Sequence, residues 1–422
     1  MVTRRTFLGR TFLEGSATAA AGAEVRDGTA TISKPALPDR TNFRVQEFET
    51  CLNAGRWHPL SNGARLAAER YQEYKQRGIW DRSGLWDASN PNLHGGSQNE
   101  TKRLFAKLIN ASPDEIAFVQ STTAGENLIV RALGLPADGA NIVTDGLHFE
   151  GSLYLYDALR RNGMDVRMVR PRRWRIEMAD LESAIDGKTR LVAVSLISYI
   201  NGFQHDLKRI CDVAHSRGAL VYADIVQAAG AMPVDVKASG VDFCATASYK
   251  WLMGDFGLGF LYVKQSVLEK LIRPAYSYRQ LRRFTNHMFP YDEPSASPVE
   301  WEQYKTAAGY FEQGTLANAV SETLAYSLDY IQTLGVDNIQ EHSQSLIARL
   351  RQEIPKLGHR LITPAEARSP LIAFQLDDPA AVQAKLKKAN IDVTIADHRM
   401  RVSPSIYNDQ KDIDRLLQAL AS

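Results

Sequence analysis

The chain has 422 residues, 44% of them hydrophobic and 23% charged, which is enough to bury a large core over roughly two to three domains. Fifty basic residues against 48 acidic ones leave a net charge of +2, which excludes the global basic field that collects nucleic acid. No run approaches the ~20 apolar residues that cross a bilayer, and three cysteines (Cys51, Cys211, Cys244) are too few and too scattered for a disulfide framework or a zinc site.

In chain order, Thr3-Arg4-Arg5-Thr6-Phe7-Leu8 resembles a twin-arginine export motif. Small residues follow to Ala23, with Ala21-Gly22-Ala23 as an A-x-A cleavage site. Arg10 and Glu14 interrupt the apolar stretch, so an ordinary basic N-terminus in a cytoplasmic protein is the alternative. Residues 1–23 are therefore expected to be an export signal and 24–60 an extended arm.

A helical pattern covers 62–75 and another 101–109. After the turn at Ala111-Ser112-Pro113-Asp114, strands are expected at 116–120, 140–144, 166–170, 191–197, 220–224, 241–248 and 259–263. Helical patterns lie between most of them, including 207–217. Strands alternating with helices indicate βαβ units and a mostly parallel sheet. The basic run 170–175 reads as a solvated connection. Residues 274–310 are rich in Arg, Tyr, Phe and Pro, which predicts an ordered loop over a site. A long helix is expected at 317–334. Strands near 371–376, 393–396 and 400–402 then belong to a smaller α+β domain. The expected divisions are a large domain over 61–310, and a bridging helix with the small domain over 311–422.

Four features carry chemistry. Ser121-Thr122-Thr123-Ala124-Gly125-Glu126-Asn127 lies between a strand and a helix, where free amides and hydroxyls either hold a phosphate or simply cap the helix. Asp224-Ile225-Val226-Gln227 ends the strand at 220–224. A carboxylate there either caps the next turn or holds a ring N–H cation, and the Gln227 amide can donate to a phenolic oxygen. Ser248-Tyr249-Lys250-Trp251 ends an apolar run and is followed by Gly254, Gly257 and Gly259, a dense setting that desolvates the lysine and makes it a nucleophile toward an aldehyde. Glu312-Gln313-Gly314-Thr315 marks a turn before the long helix.

Asp224-x-x-Gln227, Ser248-x-Lys250-Trp251-Leu252 and Phe311-Glu312-x-Gly314-Thr315, taken together, resemble the class V aminotransferase group of pyridoxal-phosphate (PLP) enzymes, from Cys51-Leu52-Asn53-Ala54-Gly55 to Arg401-Val402-Ser403-Pro404. That group includes cysteine desulfurases and isopenicillin-epimerase-like proteins. The resemblance implies fold type I, with a mostly parallel seven-stranded sheet flanked by helices and a smaller C-terminal α+β domain. It implies that Lys250 forms the Schiff base to PLP and carries the proton, Asp224 pairs the pyridine nitrogen, and Gln227 contacts the phenolic oxygen. It further implies that His148 stacks on the ring, with Phe149 as the alternative, and that Thr122, Thr123 and Ser248 hold the phosphate. Thr315 is expected to reach the phosphate from the partner in a homodimer. Arg401 is expected to clamp a substrate carboxylate beside Asn53.

Three departures narrow the reading. Tyr249 stands where many members have histidine before the lysine, and Tyr199 stands where many have asparagine, with Asn201 close by. No cysteine follows Cys244, so the C-terminal catalytic thiol of the desulfurases has no counterpart. The expected activity is aminotransferase-type chemistry at the α-carbon of a small amino-group substrate. An epimerase or a C–S/β-lyase is the alternative, and a non-catalytic binding protein is a third reading. Arg279, Arg282 and Arg283 suggest either an acidic substrate group or a dimer surface. No metal, nucleic acid or membrane is expected as a partner.

Overall fold

The computed structural model describes Leu37, residues 40–77 and residues 96–422. The export expectation for 1–23 lies outside the described residues. From Pro35 to Ser422 the chain forms one compact unit. Its centre is a seven-stranded sheet. Across the sheet the strands run Ile116–Val119, Gly259–Val263, Phe243–Ala247, Leu220–Asp224, Thr189–Ser195, Asn141–Asp145 and Asp165–Val169. All neighbours are parallel except those of Gly259–Val263, which is antiparallel on both sides.

The sequence explains this layering. Leu191-Val192-Ala193-Val194 and Phe243-Cys244-Ala245 are apolar without alternation, as strands covered on both faces must be, and both runs are fully buried. Asp165–Val169 alternates with charge and is half exposed, which suits an edge. The expected strands each appear within a residue or two of their predicted ends.

Two regions depart from expectation. Residues 274–310 are more than a loop, because Leu281–Asn286 and Val299–Gln303 form an antiparallel hairpin with Trp301 opposite Phe284. The N-terminal arm is also not a separate extension. Its strand Thr50–Cys51 pairs in parallel with Ile391–Asp392, and Phe43 and Cys51 share a core with Trp251, Ile331 and Tyr407. The described part of the arm thus packs against the C-terminal region beside the turn that carries Lys250.

The C-terminal region has a three-stranded antiparallel sheet with Arg399–Val402 at its centre, between Ile372–Gln375 and Thr394–Ala396. Alternation sorts its faces. Ile372, Phe374, Met400 and Val402 share one core cluster with Leu346 and Leu416 from the helices Val336–Glu353 and Gln410–Ala421. Arg399 and Arg401 take the opposite face.

Candidate active site

The site is built at the carboxyl ends of the parallel strands, where open α/β sheets bind ligands. Ser195, Asp224 and Ala245 lie side by side on three neighbouring strands. Lys250 follows in a turn fixed from every side. The His58 amide donates to the Tyr249 carbonyl at 2.8 Å, and the Trp251 indole donates to Gln227 Oε1 at 2.9 Å. The Met253 amide donates to the Lys250 carbonyl at 2.8 Å, with Met253 held at φ 57°, a left-handed conformation costly for its side chain. Gly230 permits the close approach, since a Cβ there would stand 2.3 Å from the Trp251 carbonyl oxygen.

Lys250 Nζ makes no hydrogen bond or ion pair among the described residues. Burial lowers its pKa to about 8, with Asp224 opposing and Arg401 assisting. An amine tuned in this way is substantially neutral just above physiological pH and available as a nucleophile.

Asp224 is buried, and only Oδ1 is engaged, accepting from the Val226 amide at 2.8 Å. Burial raises its pKa to about 6, against His148, that amide and Lys250. The remaining lone pairs suit a cationic ring N–H. Gln227 Nε2 donates to the Gly55 carbonyl at 2.9 Å, which leaves one amide hydrogen for a ligand.

The stacking role expected of His148 is corrected by the structure. His148 is 0% exposed, with Nδ1 2.7 Å from Ser195 Oγ and Nε2 3.0 Å from Glu126 Oε1, so it offers no free ring face. Phe149, the alternative, is partly exposed and packs edge-on against Tyr199. Glu126 also accepts from Tyr156 and Ser152. Burial pulls the His148 imidazolium down, but Glu126, Asp224 and Asp145 outweigh it and raise its pKa. His148 in turn opposes the effect of burial on Asp224, pulling the Asp224 pKa down. Glu126 was missed in the sequence, although it left a signal: it interrupts the buried face formed by Thr122, Gly125, Ile129 and Val130 on the helix Thr122–Ala132.

At that helix's start Ser121 Oγ accepts from the Ala124 amide at 3.1 Å, so Ser121 is the cap. The amides and hydroxyls of Thr122 and Thr123 have no protein acceptor among the described residues, which is the donor set a phosphate dianion needs. Ser248 does not join them. Its single hydroxyl proton is taken by the carbonyls of Leu258, at 2.7 Å, and Asp255, which lie on either side of it, so none is left for the expected phosphate contact. Thr315 is exposed, 3.4 Å from the Tyr278 hydroxyl.

On the other side of Lys250, Arg401 is 5% exposed. Its Nη1 donates to the Tyr199 carbonyl at 2.8 Å and its Nη2 to Thr394 Oγ1 at 2.9 Å, while Nε has no partner and no carboxylate pairs with it among the described residues. Burial, then Arg399 and Arg56, lower its pKa to about 10. Thr394 in turn donates to Asn53 Oδ1 at 2.7 Å, and Asn53 Nδ2 donates to Asp392 at 3.1 Å. Asn53 therefore braces Arg401 through Thr394. Asn201 is spent on the carbonyls of Trp174 and Ile362 and does not replace the missing asparagine.

Arg279 is not a free anion site, because Glu312 accepts from its Nε at 2.9 Å and also pairs with Lys102. Arg283 lies 3.3 Å from Glu302 on the hairpin, and Arg282 is nearby at 3.9 Å. Glu312 is buried, and Lys102 and Arg279 are only 14% and 11% exposed. Burial alone would raise the Glu312 pKa, but the two cations outweigh it and lower it. Glu312→Gln strands both cations and is expected to cost about 3–5 kcal/mol of stability, read as a fall in the urea midpoint at unchanged slope. A loss below about 1 kcal/mol would show that the cations find water.

A nucleophilic lysine between a buried carboxylate and a buried, carboxylate-free arginine, with open amides at a helix start, fits PLP, and with this sheet defines a PLP-dependent enzyme of fold type I. The aminotransferase class-V profile matches residues 94–416, and the chain belongs to that family. A cysteine desulfurase of Haloferax volcanii is 26% identical over 338 residues, 75% of this chain and 76% of that protein. The apo cysteine desulfurase of Thermococcus onnurineus NA1 superposes with a TM-score of 0.78 at 19% identity, over 92% of this chain and 98% of that one. A C-DES mutant with glycine covalently linked to its PLP cofactor gives 0.76 at 22% identity, over 91% and 99%.

Proposed function

We propose that the enzyme moves a proton at the α-carbon of an amino acid or aminoacyl substrate with an aminotransferase outcome, PLP being its cofactor. Bound PLP supplies the electron sink that makes an α-carbon acidic. The chain supplies the rest. Asp224, backed by the His148–Glu126 pair, keeps a ring N–H in place. Thr122 and Thr123 hold the phosphate, and Phe149 covers the ring. Arg401 takes the substrate carboxylate in its buried fork, with the unpartnered Nε as one of the donors. Lys250 Nζ would then take the α-proton from the substrate and deliver it to the cofactor's carbon, the shift that a transamination requires. The observation that carries this reading is Lys250, an amine without a hydrogen-bond partner, flanked by Asp224 and Arg401. The homodimer belongs to the same proposal, supported by the exposed Phe284 and Trp301 on the hairpin and by the exposed Thr315.

The desulfurase relatives favour a C–S lyase as the second reading. Against a persulfide route, all three cysteines are buried. Burial raises the Cys51 and Cys211 thiols to about 11 and about 12 and holds Cys244 well above the ordinary thiol range, so none is a thiolate at neutral pH. Titrating the coloured holoenzyme with a panel of amino acids separates the readings. Transamination predicts that one donor bleaches the long-wavelength absorption and that a 2-oxo acid restores it, in a protein sedimenting at twice the chain mass. Sulfide release from cysteine without bleaching would establish the lyase, and a spectrum that no amino acid alters would refute both.

A further inference from the structure

Arg401 is not alone. Arg399 lies two residues back on the strand Arg399–Val402, so both side chains leave the same face of the small sheet, about 6.7 Å apart along the strand. The strand partners of these two residues are Thr394, Ala396, Ala373 and Gln375, none of them charged, while Met400 between them points into the core. Arg56 comes in from the arm. Its segment is bridged to the end of that strand, with the Ala54 amide donating to the Ser403 carbonyl at 3.0 Å and the Gly55 amide to Ser403 Oγ at 3.0 Å. Two residues later the His58 amide meets the Tyr249 carbonyl, beside Lys250. The fold therefore gathers Arg56 and Arg399 beside Arg401, and Arg401 in turn acts on Lys250.

Neither Arg56 nor Arg399 has an ion pair or a hydrogen bond from its guanidinium among the described residues. The nearby carboxylates are used elsewhere: Glu150 accepts from the Tyr199 hydroxyl at 3.0 Å, and Asp392 accepts from Asn53. Arg401 senses both other arginines, and Tyr199 senses Arg399 and Arg401. Solvated arginines on an open surface repel weakly through water. Here the exposed Arg56 and the half-buried Arg399 stand beside the buried Arg401 guanidinium, and no carboxylate pairs with any of the three among the described residues, an arrangement that an incoming anion relieves. One α-carboxylate satisfies Arg401 and leaves two cations over.

We propose that Arg399 and Arg56 hold a second anion, so that the substrate is an amino acid whose side chain ends in an acidic group. This rests on the α-carbon chemistry proposed above, with the α-carboxylate on Arg401. Arg399 and Arg401 leave one strand face, and their long side chains can bring both guanidiniums to the two acidic ends of one four- or five-carbon dicarboxylate. Carboxylate, sulfonate and phosphate share the required charge and differ in geometry, which separates them in the test.

The first arm uses the full-length chain freed of cofactor and isothermal titration with glutarate and succinate against pentanoate and butyrate. The dicarboxylates are expected to bind at least about tenfold tighter, the worth of one charge-assisted hydrogen bond. In Arg56→Gln and Arg399→Gln the preference is expected to shrink stepwise, to below about threefold in the double variant, with monocarboxylate binding unchanged. These variants strand no partner, and their thermal melts check folding. The second arm follows the holoenzyme absorption with glutamate, aspartate, cysteate and phosphoserine against glutamine, asparagine and alanine, and expects the acidic set to act at lower concentration. Equal binding of mono- and dicarboxylates, or a preference that survives both substitutions, would overturn the proposal. Dicarboxylate selectivity in the cofactor-free chain with no spectral response to any amino acid would leave the anion site standing and remove the α-carbon chemistry.

Discussion

Lys250→Ala is expected to lower turnover by about 10⁴-fold or more, the upper end of what a positioned acid–base group contributes, because the same amine both bonds the cofactor and carries the proton. The fold is expected to survive. Among the described residues Lys250 Nζ makes no hydrogen bond or ion pair and only lies 5.7 Å from the centre of the Tyr249 ring, and the turn is held by backbone bonds at Tyr249 and Met253 and by the Trp251–Gln227 contact. The amine's pKa of about 8 adds a pH signature. Below pH 8 the protonated amine is no nucleophile, so cofactor loading onto the wild type should rise about tenfold per pH unit and level off above 8. The alanine variant should lack that rise and release the cofactor on gel filtration. Near-wild-type turnover in Lys250→Ala, or loading independent of pH between 6 and 9, would remove Lys250 from its role.

Much of this site was legible in the sequence because its parts end predicted strands or follow them closely. Asp224 closes an apolar run and Lys250 follows another, so their positions along the chain already imply a shared crevice, while Arg401 lies in the short strand expected near 400–402. What was not legible depends on contacts between distant segments. The Tyr199 contribution is a backbone carbonyl, which no side-chain pattern announces. Ser248 has the right chemistry at the right place, but the return of the chain through Asp255 and Leu258 captures its hydroxyl. His148 and Phe149 are adjacent, so a fraction of a turn in the backbone decides which faces the crevice, and the Glu126 carboxylate that holds His148 inside is a contact the sequence does not announce. The hairpin was hidden by the 12-residue connection between Asn286 and Val299, although Val299-Glu300-Trp301-Glu302 alternates as a strand should.

Asp224→Asn is expected to move stability and activity in opposite directions. The folded chain holds this carboxyl at about 6 against an ordinary 3.8, and burial is the chief cause. A raised acid pKa means that the folded state binds the proton more tightly than the unfolded state does. Between pH 3.8 and about 6 the wild-type cofactor-free chain therefore loses stability as pH rises, and the whole penalty, about 3 kcal/mol, stands at pH 7. Asparagine keeps an oxygen for the Val226 amide and carries no charge to desolvate. The cofactor-free variant should consequently melt above wild type at pH 7, and the two should converge near pH 4. With cofactor present the order should reverse, since a buried anion is the partner a ring N–H cation needs and an amide stabilises it far less. Turnover should fall about 10²–10³-fold, the range seen when one preorganised electrostatic partner is removed. Paired melts with and without PLP at pH 4 and pH 7 read both effects on one sample. If the variant gained no stability at pH 7, the carboxylate would be better solvated than its burial implies. If it kept full activity, Asp224 would not face the ring. A residue that weakens the empty protein and strengthens the loaded one serves what it binds, and His148 behind it limits that cost while Glu126 adds to it.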